Sequence, residues 1–334
     1  MSYADLQPSM CKPCANFERA CRRAMLVSCE AARAPEMTIR LSIATVFQAM
    51  IGGRMTTSIT PGPYARQDAL TDPGVLAALY DDLPVGPSAL REVVSQLITH
   101  VDWAARYGIP PNTAMPRDTQ PVADRLKLIQ SIHAGSLSAQ RPPHKRTFGT
   151  CRDYSLMICS MLRHRSIPAR VRCGFATYFP WRPYEDHWIC EYWSSEETRW
   201  VRADAQLDQF QRDQLALKFD CADLPRGAFL SAGQAWLLAR SGATPTSDFG
   251  HGNAKGLWFL RVNLNRDLLS LTNQQMSAWD TWRDAAVAGK TVSDAEAAEG
   301  DQLADRIETA ESTADGVEQL RELAEGRQVP PWRG

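Results

Sequence analysis

Residues 149–175, GTCRDYSLMICSMLRHRSIPARVRCGF, contain a helix pattern and a strand pattern separated by a proline stop, with a cysteine at the helix head. Thr150 is suited to the N-cap, because its side-chain oxygen can accept from an early amide. Asp153 stands three residues later, where a capping box needs its second acceptor. Cys151 is then the first helical residue. Tyr154, Ile158, Met161 and Leu162 recur at helical spacing and line one face, and Pro168 stops the helix soon after Ser166. The following run, RVRCGFATY, has the period of a strand.

A helix N-terminus carries partial positive charge, which favours a thiolate, so Cys151 sits where a nucleophile is easily activated. The plain alternative is a small buried apolar residue, the reading given to Cys159, Cys173 and Cys190. A nucleophilic thiol also needs a base, and the base needs an orienting acceptor. His187 and Asp204 supply that pair. They lie in two strand-like runs, HWICEYW and RWVRADA, flanking the polar SSEET. A four-residue loop at 194–197 makes paired positions sum to 391 and sets His187 directly opposite Asp204. Their Cβ atoms would then be about 5 Å apart on one face. Ile189, Glu191, Trp200 and Arg202 share that face, and Trp188, Cys190, Val201 and Ala203 take the other. His100, His133, His144, His164 and His251 lack such an arrangement on this reading.

Outward from this core, three helical patterns precede it: TDPGVLAALYDDLP, SALREVVSQLITHVDWAARYG and PVADRLKLIQSIHAG. Helical patterns resume in SAGQAWLLARSG and GLWFLRVNLNRDLLSLTN. An acidic segment over 292–325 opens with Ser293 and Glu296 as a capping box. The order, helices, then strands, then helices, is α+β.

The 334 residues carry a net charge of −1, so no global basic field points to nucleic acid. The apolar stretch 41–51 is far shorter than the roughly 20 residues of a membrane span, and the start lacks a secretory pattern. Nine cysteines, odd in number and irregularly spaced, favour reduced thiols and a cytoplasmic setting. Residues 1–54 read as a Cys-rich, poorly ordered extension. Residues 55–285 read as the catalytic domain, and 286–334 as an acidic helical C-terminal segment. Cys11, Cys14, Cys21 and Cys29 are spaced too loosely for the usual paired zinc ligands.

With these pieces assembled, GTCRDYSLMICSMLRHRSIPARVRCGF, EDHWICEYW and RWVRADAQLD resemble the transglutaminase-like superfamily. The similarity runs from about Pro61 through KGLWFLRVNLNRDLLSLTN and AWDTW to the final VPPW. The resemblance implies a papain-like architecture, a nucleophile helix packed on an antiparallel sheet with additional N- and C-terminal helices, with no cofactor and no metal in the core. It implies Cys151 as nucleophile, His187 as general base and then acid, and Asp204 as the orienting partner. The substrate would be an amide- or acyl-bearing protein, peptide or small molecule. A thioester on Cys151 would be resolved by water, as in a protease or amidase, or by an amine, as in a transglutaminase. An inactive binding module of the same fold is the rival, and a metal-binding N-terminal segment is another. The sequence is silent on oligomeric state. Phe179, Trp181, Trp188, Tyr192 and Trp193 read as core rather than cleft, Glu191 as a solvated strand carboxylate, and Asp153 as a helix cap. The role of Trp258, Asn263 and Asp267 is open.

Overall fold

The computed structural model describes residues 62–115, 121–274, 291–310 and 316–325, all in the unit Thr60–Gly334. The four N-terminal cysteines, AWDTW and VPPW lie outside them. A 3-10 helix at Gly74–Tyr80 leads to α1 (Pro87–Ser95), β1 (Ile98–His100), a second 3-10 helix at Val101–Tyr107, α2 (Val122–Ile132), β2 (Thr147–Gly149) and α3 (Cys151–His164). Then come β3 (Ala169–Ala176), β4 (Tyr184–Ser194), β5 (Arg199–Ala203), α4 (Gln209–Gln214), β6 (Phe229–Ser231), α5 (Ala232–Arg240), β7 (Phe249–His251) and β8 (Ala254–Lys255). Helices α6 (Leu257–Leu271), α7 (Asp294–Ala310) and α8 (Gly316–Ala324) follow.

The continuous helical pattern expected over 88–108 is interrupted. Ile98, Thr99 and His100 pair in parallel with Thr147, Phe148 and Gly149, a partnership with distant residues that local periodicity does not contain. β-Branched Ile98 and Thr99 suit the extended backbone.

β3 lies between β6 and β4 in antiparallel register. The other edge of β4 is shared: β7 pairs in parallel at Tyr184 and Glu185, and β5 pairs antiparallel from Cys190 to Ser194. Among the described residues, 186–189 therefore have no strand on that edge. The fold is α+β, with α3 packed on β3 and β4.

α3 is buried all round rather than on one face, from Arg152 to Arg163. Its Leu156, Met157, Ile158 and Leu162 meet Val171, Cys173, Trp188 and Cys190 of the sheet and also Leu90 and Leu126 of α1 and α2. A helix covered on every side belongs to the interior, which fixes its first residue firmly.

Glu191 is not solvated: it is 2% exposed. Its Oε2 accepts from Arg170 Nε at 2.8 Å and Arg172 at 2.9 Å, and its Oε1 from Arg202 at 3.0 Å. Three guanidiniums outweigh burial and hold its carboxyl well below the usual range. Arg172 also makes a two-pronged pair with Asp267 of α6, at 2.9 and 2.8 Å. Asp267 Oδ1 accepts the Cys173 amide at 3.0 Å, at the β3 edge just beyond the β6 pairing. The Asp267 left open by the sequence thus ties α6 to the sheet. Downstream, Ser293 and Glu296 form the expected capping box. Trp236 of α5 donates to Asp301 of α7 at 2.7 Å.

Candidate active site

Cys151 is the first residue of α3. The Thr150 amide donates to Asp153 Oδ2 at 2.7 Å, and Arg125 of α2 grips Asp153 Oδ1 at 2.7 Å. Capping and a buried ion pair therefore fix the helix start. Cys151 keeps part of its surface open, whereas Cys159, Cys173, Cys190 and Cys221 are buried; all five are free thiols.

Cys151 packs against the core that includes Trp188, within the stretch of β4 that lacks a neighbour on one edge. Trp188 directly follows His187, so the nucleophile helix meets β4 beside the candidate base. Burial pushes the Cys151 thiol up, Asp186 and Asp204 add to this, and the Trp188 amide opposes it. The expected depression of the thiol by its helix terminus is overridden, because desolvation and nearby carboxylates both disfavour a thiolate.

His187 Nε2 and Asp204 Oδ2 stand 2.8 Å apart, both residues buried. The contact expected from the sequence is present, but the register differs. Cys190 pairs with Ala203 and Ser194 with Arg199, so pairs sum to 393. Ser194 is in the strand, and the loop is 195–198, with Thr198 at φ +54°. The two faces survive because both registers have the same parity. Asp204 follows the end of β5, where its amide donates to Cys221 O at 2.8 Å and its carbonyl accepts from Arg91 at 3.3 Å. From there its carboxylate reaches His187 diagonally.

Tyr178, read from the sequence only as the last residue of a strand that in fact ends at Ala176, donates its hydroxyl to Asp204 Oδ2 at 2.6 Å. The Gln206 amide donates to Oδ1 at 2.9 Å. Burial alone would raise the Asp204 carboxyl; His187, Tyr178 and Gln206 outweigh it and lower it. Asp204 is therefore an ionised acceptor that can orient an imidazole and support its charged form. Nothing in the spacing of Tyr178 signals this, since it lies in the connection after β3.

Asp186 contacts Asn263 and Arg266 of α6, at 3.2 and 3.6 Å, and burial raises its carboxyl. His251, read as lacking a carboxylate partner, in fact has one: its Nδ1 is 2.6 Å from Glu185 Oε1. Phe179 sets its ring 5.1 Å from that of His187, and Trp181 stacks on Phe179 at 4.9 Å. Among the described residues no group of three or more His, Cys, Asp or Glu could hold a metal ion, and no helix is long and apolar enough to cross a membrane.

Residues 130–205 match the family model of the transglutaminase-like superfamily, a span that contains Cys151, His187 and Asp204. The chain is also similar to a crystal structure of a candidate cysteine protease from Cytophaga hutchinsonii. The identity there is 17% over 43% of this chain and 41% of that one, with a TM-score of 0.26. That likeness is too slight to bear on activity, and it spans less than half of the other chain. No curated protein matches.

Proposed function

We propose that the transglutaminase-like core at 130–205 makes this chain a cysteine-dependent enzyme acting on amide or acyl substrates, with Cys151, His187 and Asp204 as its triad. The observation that carries the reading is the 2.8 Å contact of His187 with Asp204, one residue from Trp188, in the core cluster against which Cys151 packs.

His187 Nε2 is committed to Asp204, which leaves Nδ1 as the proton acceptor. As Cys151 Sγ bonds to the substrate carbonyl carbon, its proton passes to His187 Nδ1. The oxyanion faces the Cys151 amide, one of the helix-start N–H groups without an intrahelical acceptor. Collapse breaks the carbon–nitrogen bond, and the imidazolium returns the proton to the leaving amine. The thioester then meets water or a second amine, which His187 deprotonates, and the thiol is regenerated. Because the resting thiol is held up, proton transfer accompanies attack rather than preceding it. The five free thiols support a reducing compartment such as the cytoplasm.

An ester reporter tests this. Cys151-dependent turnover of p-nitrophenyl acetate, with an acetyl-enzyme seen by intact mass and partitioning to added glycine ethyl ester, supports acyl chemistry and separates transfer from hydrolysis. The same turnover in Cys151→Ala overturns it. The raised thiol favours one other reading, an inactive binding module, for which no acetyl-enzyme forms at all.

A further inference from the structure

We propose that Trp181, with Phe179 and Trp103 behind it and Arg106 beside it, is a recognition subsite for substrates that present an aromatic side chain next to a carboxylate. This rests on the triad reading above and names its substrate class.

β1 and β2 are parallel neighbours with His100 level with Gly149, so the Val101–Tyr107 helix and α3 leave the pair side by side. The first carries Trp103 and Arg106, and the second begins at Cys151. From the opposite side, the β3–β4 connection brings Phe179 against His187 at 5.1 Å and Trp181 onto Phe179 at 4.9 Å with planes 22° apart. Trp103 closes the row, 6.0 Å from Trp181. A continuous aromatic path thus runs from the candidate base to the surface.

Its outer end is open. Trp181 is 48% exposed, while Phe179 and Trp103 are buried, so the indole is held in place by its neighbours and still offers surface. An indole fixed in this way binds another ring without ordering cost of its own. Arg106 lies over both tryptophans, 4.8 Å from the Trp103 centroid and 5.7 Å from that of Trp181. It is exposed, and among the described residues no carboxylate pairs with it. Stacking occupies the flat side of the guanidinium and leaves its N–H edge for a carboxylate. Asp102, four residues before Arg106 in the same short helix, faces His251 at 3.8 Å, and Glu185 faces His251 and Arg182.

The test compares second-order alkylation of Cys151 by N-iodoacetyl-phenylalanine, its carboxamide and N-iodoacetylglycinamide, each divided by the iodoacetamide rate of the same protein. In the full chain the phenylalanine probe should exceed the glycinamide probe by about tenfold. Trp181→Ala should abolish the preference for the ring and Trp181→Phe should keep it. Arg106→Gln should abolish the preference for carboxylate over carboxamide. Equal ratios in the wild type, Trp181→Ala and Arg106→Gln overturn the subsite. His187→Ala should slow all probes together. If it leaves every rate unchanged while the ratios still depend on Trp181 and Arg106, the base assignment falls and the subsite stands.

Discussion

Tyr178 and His187 share one oxygen, Oδ2 of Asp204, at 2.6 and 2.8 Å. The hydroxyl helps keep the carboxylate ionised, while the imidazole depends on it for orientation.

Tyr178→Phe therefore removes one hydrogen bond to a buried carboxylate, a loss of about 1.5–3 kcal/mol of stability. The folded Asp204 carboxyl is lowered, so its stabilisation is present above the unfolded value and is lost as pH falls through the folded one. Without Tyr178 that folded value moves up. Thermal melts across acid pH should show stability failing at a higher pH in the variant. An unchanged acid limb would mean that the hydroxyl does not support the charge.

Asp267→Asn should be severe, because Arg172 is fully buried and loses its two-pronged partner. The expected cost is about 3–5 kcal/mol. The double variant Arg172→Met/Asp267→Leu should lose much less than the two single changes added together, as read by urea unfolding. Additive losses would show that the pair is not coupled.

Gly174 pairs with His187 across β3 and β4. A Cβ there would lie 2.1 Å from Leu230 O and 2.6 Å from the Phe229 ring. Gly174→Ala must push β6 away, at about 1–3 kcal/mol, and should lower Cys151 reactivity along with the melting temperature. Wild-type reactivity and stability would contradict this packing.

Much of the site was legible in GTCRDYS and the two flanking strand runs, because capping and period-two faces are local properties. Cys151 heads its helix as Thr150 and Asp153 imply. The faces of His187 and Asp204 came through a register error, since shifting the pair sum from 391 to 393 leaves parity intact. Partnerships between distant segments were not legible. β1 exists because of β2, and Glu191 is buried because Arg170, Arg172 and Arg202 surround it. The alternating arginines of ARVRCG hinted at a charged face, but not at what would cover it. The Cys151 thiol was expected lowered by its helix; burial raises it, and Asp186 and Asp204, which add to this, come from elsewhere in the chain.

The most direct measurement of the central claim is the alkylation of Cys151 by iodoacetamide against pH, followed by peptide mapping, in the wild type and in His187→Ala. With the thiol held up by burial, Asp186 and Asp204, the proposed triad requires reactivity at neutral pH to depend on His187 taking the proton. The wild type should label at pH 7 at least about tenfold faster than the variant, whose labelling should rise only in alkaline solution, beyond the free-cysteine value of about 8.5. Superimposed profiles would contradict the account, because they would mean that His187 does not serve Cys151.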